Sequence, residues 1–119
     1  MNKTNATFMQ SLKSACRGIV YTFKTEKHMR FHFFVALLVI IFGFILRITK
    51  MHWLFIIYAI GSVLVSELIN TSLERAIDLA KPSVHPLAGI AKDIAAGAVL
   101  ITAIQAVIIG IVVFSSYLF

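Results

Sequence analysis

The chain has 119 residues, 60% of them hydrophobic and only 13% charged, with a formal net charge of +6 and a mean hydropathy of +0.93. Soluble domains carry about 25% charged residues, so a soluble globular enzyme and a polar nucleic-acid-binding module are set aside, and lipid is the expected solvent for most of the surface. One unit over residues 1–119 is the expected organisation, and Cys16, the single cysteine, rules out an intrachain disulfide.

Residues 1–30 are basic and mixed. Phe8, Leu12, Ala15, Ile19 and Phe23 recur at spacings of three and four, with Lys13, Arg17, Lys24 and Lys27 between them. This pattern predicts an amphipathic helix over about 6–26 that lies on a bilayer surface, packs on its own protein, or does both. An uncharged run from Phe31 to Leu46 follows, bracketed by Arg30 and Arg47. It falls a little short of the roughly 20 residues that cross a bilayer. Flanking residues extend it to about 29–48, with both arginines snorkelling outward. No small-residue cleavage site follows, which predicts a retained helix rather than a removable signal. Arg47 to Lys50 is a short link that suits a helical hairpin. Met51 to Ser66 opens a second span, about 51–80, with Trp53 and Tyr58 near its start where interface aromatics often sit. Pro82 and Pro86 stop this helix and begin a loop. Ile94 to Phe119, broken by Gln105, gives a third span of about 90–118.

The expected fold class is therefore an all-α membrane protein with three transmembrane helices and an N-terminal amphipathic surface helix. Lys3, Lys13, Arg17, Lys24, Lys27 and Arg30 precede the first span, and Arg75, Lys81 and Lys92 lie between the second and third. The opposite side has only Arg47 and Lys50. The positive-inside rule then puts the N-terminus in the cytoplasm and the C-terminus outside the plasma membrane.

The five acids are Glu26, Glu67, Glu74, Asp78 and Asp93. On this topology all of them fall at the cytoplasmic face. Glu67, Asn70, Glu74 and Asp78 occupy a sector of about 80° along about 16 Å of helix. Like charges so close repel, and a divalent cation or a set of basic partners relieves them. A solvated polar face would account for Glu74 and Asp78. It accounts poorly for Glu67, which follows a long uncharged run and lies at the membrane boundary, where acids are functional candidates. Carboxylates at this density suit Mg²⁺, which takes oxygen ligands and keeps waters and substrate phosphates. Lys92 beside Asp93 offers a point charge for phosphate, and Glu67 is placed to accept a proton from a lipid hydroxyl. These are the parts of phosphoryl transfer from ATP. No P-loop, no protein-kinase motif set and no zinc spacing is present. His28, His32, His52 and His85 are scattered, and spacing gives them no role.

The segment Glu67-Leu-Ile-Asn-Thr-Ser-Leu-Glu-Arg-Ala-Ile-Asp78, followed by Ala91-Lys92-Asp93, resembles the prokaryotic diacylglycerol kinase family, whose signature is E-x-x-N-[ST]-[AS]-[IL]-E-x-x-x-D and then A-K-D. The resemblance runs from about Phe8 to the C-terminus. It implies a homotrimer of three-span subunits, each with a surface helix, and active sites shared between subunits. It also implies roles. Glu67 matches the proposed catalytic base, Glu26 and Glu74 match metal ligands for Mg²⁺ on the ATP phosphates, and Asn70 matches a residue that orients the site. Lys92 and Asp93 match nucleotide contacts, Ser83, Val84 and His85 match a loop that touches the nucleotide, and Asp78 matches a supporting acid. Gly18 and Arg30 also match.

Two positions depart from the proteobacterial branch. Ser14 stands where that branch has an aromatic near the adenine, and His32 stands where it has a glutamate. Met29-Arg30-Phe31-His32 and His85-Pro86-Leu87-Ala88 look instead like the Gram-positive branch, whose members are similar to undecaprenol kinases. Arg30, His32 and Glu67 are accordingly the expected lipid-substrate residues. The expected reaction is phosphorylation of undecaprenol by MgATP. The rivals are the same chemistry on diacylglycerol, a small oligomeric transporter and a non-catalytic scaffold. A proton-coupled transporter would normally place its acid near the bilayer centre, which the position of Glu67 does not favour.

Overall fold

The structure is a computed structural model that describes residues 7–80 and 85–119. Its regular elements are four helices: α1 (Phe8–Thr25), α2 (Lys27–Leu46), α3 (Lys50–Leu79) and α4 (Pro86–Leu118). The last three are long and apolar enough to cross a bilayer, and the chain is a multi-pass membrane protein. At 1.5 Å per residue, the 30 residues of α3 reach about 45 Å, well beyond a hydrocarbon core of about 30 Å. One end of α3 therefore has to project out of the lipid.

Local chemistry sets each boundary. Thr7 starts α1 with a capping box, in which its hydroxyl accepts from the Gln10 amide while its own amide donates to the Gln10 side chain. This satisfies two of the donors that a helix start leaves unpaired. Glu26 turns to extended backbone (φ −112°, ψ 117°) and separates α1 from α2. Arg30 reaches back across that elbow, and its Nη1 donates to the carbonyls of Phe23 and Lys24 at 2.9 Å each. The last turn of α1 thus finds its missing donors on α2. Arg47 ends α2 in the left-handed conformation (φ 54°), and Thr49 caps α3 by accepting from the His52 amide.

α4 starts at Pro86, four residues before the sequence-based boundary of about 90. Pro86 occupies the first turn, where its lost amide costs nothing, and the His85 imidazole accepts from the Leu87 amide at 3.1 Å. Ser83 and Val84 lie outside the described residues.

The bundle is held by small residues and a few polar contacts. The buried residues of α2 are Met29, Ala36 and Gly43, one stripe at a spacing of seven. On α3 they are Ile56, Ala59, Val63, Glu67 and Thr71. α4 packs along α3 more extensively than α2 does, and Ser66 meets Thr102 across that interface at 2.8 Å. In lipid there is little hydrophobic drive between helices, so close backbone approach and polar contacts take over. A buried apolar cluster sits at the hairpin end, where Ile48, Ile56 and Val113 gather with Trp53, Leu46 and Phe114. Tyr117 locks α4 there. Its hydroxyl accepts from the Thr49 amide at 2.8 Å and lies 2.6 Å from His52 Nδ1.

Gly43 shows how closely the hairpin is fitted. A Cβ on it would lie 2.5 Å from the Trp53 ring. Alanine is favoured over glycine in a helix by up to about 1 kcal/mol, but overpacking costs about 1–3 kcal/mol and the indole has little freedom to yield. We expect Gly43→Ala to lower the unfolding temperature in detergent, with Trp53→Phe in the same chain recovering part of the loss. An unchanged melting temperature would show that the ring moves aside without cost.

Candidate active site

α3 runs antiparallel to α2 and α4, so its end lies beside their beginnings. Every acid in the chain is found at that end. Glu26 precedes α2, Glu67, Glu74 and Asp78 lie in the last part of α3, and Asp93 lies near the start of α4. The sequence expectation of one acidic face is met in that sense. The acids do not merge into one cluster, however. Among the described residues no three His, Cys, Asp or Glu side chains stand close enough to hold a cation by themselves.

Each of four carboxylates has its own partner instead. Glu67 is 5% exposed, and its Oε1 lies 3.3 Å from His32 Nε2. It continues the inward stripe of Ile56, Ala59 and Val63, which is why an acid so close to the apolar run is buried. Glu74 accepts from Asn70 Nδ2 at 2.8 Å. Glu26 accepts from Arg75 at 2.7 Å. Asp78, which is exposed, pairs with Lys92 at 2.6 Å and ties the end of α3 to the start of α4. Asp93 is exposed and makes no ion pair among the described residues. Basic and amide side chains thus stand beside four of the five carboxylates.

Several expected site residues carry structural duties. Lys92, expected at phosphate, is engaged by Asp78. Arg30, expected at the lipid, caps α1. His85, expected at the nucleotide, caps α4. Asn70 orients Glu74 through its amide nitrogen, while its amide oxygen is buried with no partner among the described residues. A buried acceptor left unpaired costs about 1–3 kcal/mol, so a ligand that binds this oxygen gains by occupying it. The fit to a divalent cation rests on this donor set. A carboxylate beside an unpartnered amide oxygen is hard-oxygen chemistry, and Mg²⁺ is held by one or two carboxylates with substrate phosphates supplying the rest.

Arg75 was not singled out by sequence reasoning. It donates through Nε to Tyr21 Oη at 2.9 Å and through Nη2 to Glu26, and its guanidinium lies 5.6 Å from the Tyr21 ring centroid. One residue thereby joins α1, the elbow and α3. The signal was available, because Arg75 is the one cation between Met51 and Ala80 and it sits inside the acidic stripe.

A cavity of about 530 Å³ opens between α2, α3 and α4. Its walls include Val35, Ala36, Ala59, Val63, Ala103 and Gly110, and His32 is the one titratable side chain among its lining residues. His32, whose imidazole lies 3.3 Å from Glu67, therefore borders this apolar cavity.

The model of the prokaryotic diacylglycerol kinase family matches residues 13–114. Undecaprenol kinase of Bacillus subtilis (strain 168) is 41% identical over 107 residues, which cover 90% of this chain and 87% of that protein. Diacylglycerol kinase of Synechocystis sp. is 41% identical over 101 residues, covering 84% of this chain and 58% of that protein. Diacylglycerol kinase of Haemophilus influenzae is 32% identical over 93 residues, covering 78% and 79% respectively.

Arg75 bridges two acceptors with a planar fork, which the ammonium of lysine cannot reproduce. Arg75→Met should therefore raise hydrogen–deuterium exchange at the amides of Gly18–Thr25, with Arg75→Lys restoring only part of the protection. Equal protection in all three proteins would show that α1 is held by its apolar contacts alone.

Proposed function

Because the chain belongs to the prokaryotic diacylglycerol kinase family and is thus an ATP-dependent lipid kinase, we propose that it transfers the γ-phosphate of MgATP to undecaprenol at the cytoplasmic face of the plasma membrane. The products are ADP and undecaprenyl phosphate. The observation that carries this reading is the apolar cavity bordered by His32 beside the buried Glu67. A long-chain alcohol lies along such a cavity with its hydroxyl at the polar end. The name of the Bacillus subtilis relative supports undecaprenol. The names of the other two relatives favour diacylglycerol as the second reading.

Glu67 takes the proton of the lipid hydroxyl, and the freed oxygen attacks the γ-phosphorus as the bond to ADP breaks. Glu26 and Glu74 would hold Mg²⁺, which would supply neutralising charge for the phosphates. Asn70 sets the direction of Glu74. Lys92 exchanges Asp78 for phosphate, and Asp93 with the 83–85 loop contacts the nucleotide. His32 and Arg30 border the lipid headgroup. Positioning and electrostatic stabilisation supply most of the rate in phosphoryl transfer. The unit is a homotrimer with sites shared between subunits. In support, a chain whose acids end in separate pairs is short of groups to enclose a nucleotide alone. The N-terminus is cytoplasmic, by the excess of Lys and Arg on that side.

The purified protein, supplied with MgATP labelled at the γ-phosphate, should phosphorylate undecaprenol at least about tenfold faster than diacylglycerol at equal mole fraction in micelles, a difference of about 1.4 kcal/mol in barrier. Preference for diacylglycerol would replace the substrate. Glu67→Gln should lower turnover on the preferred lipid by about 10²–10⁴-fold with nucleotide affinity intact. Wild-type turnover in that variant would remove Glu67 from the role of base.

A further inference from the structure

A buried carboxylate that works as a base needs one oxygen held and the other free. Glu67 is 5% exposed, and among the described residues His32 is its one ion-pair contact. The neighbouring polar groups are committed elsewhere. The Asn70 amide nitrogen is on Glu74, and the Arg30 guanidinium is on the carbonyls of Phe23 and Lys24. The residues of α3 and α4 that line the adjoining cavity carry no titratable group. His32 sits on α2, whose start is fixed by the Arg30 cap, so its ring approaches Glu67 from a rigid element.

From this juxtaposition, and resting on Glu67 as the base, we propose that His32 is a positioning residue that acts through Glu67. Its Nε2–H engages Oε1 and leaves Oε2 as the atom that receives the lipid proton. An ionised carboxylate only accepts hydrogen bonds, so the imidazole nitrogen facing it is the donor. When Oε2 takes the proton, Oε1 becomes the carbonyl oxygen and still accepts from Nε2–H. The imidazole therefore keeps its own proton throughout the step. The lipid oxygen forms its bond to phosphorus, the bond from phosphorus to the ADP oxygen breaks, and the proton remains on Glu67. At 3.3 Å the two atoms are within ion-pair distance without forming an aligned hydrogen bond, and contacts of this kind tighten when substrate binds.

The test compares His32→Phe, which keeps a ring of similar shape without a donor, with His32→Gln, which restores a side-chain N–H. Both are assayed for kcat and for the KM of ATP on the preferred lipid, alone and with Glu67→Gln. A hydrogen bond to a charged group sets the expected size of the loss. His32→Phe should cut kcat about 10–100-fold without changing the KM of ATP or the melting temperature. His32→Gln should recover most of that loss, and His32→Phe should cost little more once Glu67 is Gln. Wild-type kcat in His32→Phe overturns the proposal, as does a full further loss in the double variant. A His32→Gln protein that folds yet is as slow as His32→Phe overturns it too. If Glu67→Gln alone keeps wild-type turnover, the base assignment fails and this inference fails with it. If Glu67→Gln is inactive while His32→Phe is unaffected, only the role of His32 is lost.

Discussion

The burial of Glu67 is the constraint around which the rest of the molecule is arranged. An unpaired carboxylate in a low-dielectric interior is too costly to keep ionised, so the fold has to bring it a partner. The partner is His32, on a different helix. That meeting requires α2 and α3 to be antiparallel and correctly phased. The hairpin turn at Arg47–Thr49, the close fit of Gly43 against Trp53 and the inward stripes of both helices all serve that phase. A small rotation of α3 would turn Glu67 from the imidazole toward lipid.

The remaining acids follow a different logic. Glu26, Glu74 and Asp78 are half-buried or exposed, and each is held by one partner. The two ion pairs among them, Glu26 with Arg75 and Asp78 with Lys92, are of the exposed kind worth on the order of 0–1 kcal/mol. Contacts that weak are easily exchanged for phosphate or a cation, which suits a site that must admit a charged nucleotide and release it. The unpartnered oxygen of Asn70 stands apart, because it is a buried acceptor that the described residues leave unsatisfied. The site therefore combines one buried pair with several more exposed ones.

Close packing and open space lie side by side in the bundle. At the hairpin end, Ile48, Ile56, Val113 and the Tyr117 hydroxyl fix α4 to the turn. Between His32 and that cluster the three helices part around an apolar cavity, which Ile56 and Phe114 also line. Small side chains such as Ala36, Ala59, Ala103 and Gly110 line it, and they leave the space that larger ones would fill. α1 is joined to the acidic end through Arg75 and Arg30, so motion of the surface helix is coupled to the elbow that carries Glu26.

Much of this was legible in the sequence, because the signals were local. The three apolar runs and the amphipathic spacing of Phe8 to Phe23 each depend on neighbours a few residues apart. The gathering of acids at one end followed from topology alone, since alternating spans return every second boundary to the same side. The start of α4 was less legible, because Pro86 reads equally as a breaker and as a first-turn residue until the His85 cap is seen. The pairing of charges required the tertiary structure. His32 with Glu67, Arg75 with Glu26 and Tyr21, and Lys92 with Asp78 join residues from different helices. Helical spacing orders side chains around one axis but leaves the rotation of that axis against its neighbours open. Packing alone set that rotation, and with it which partner each carboxylate received.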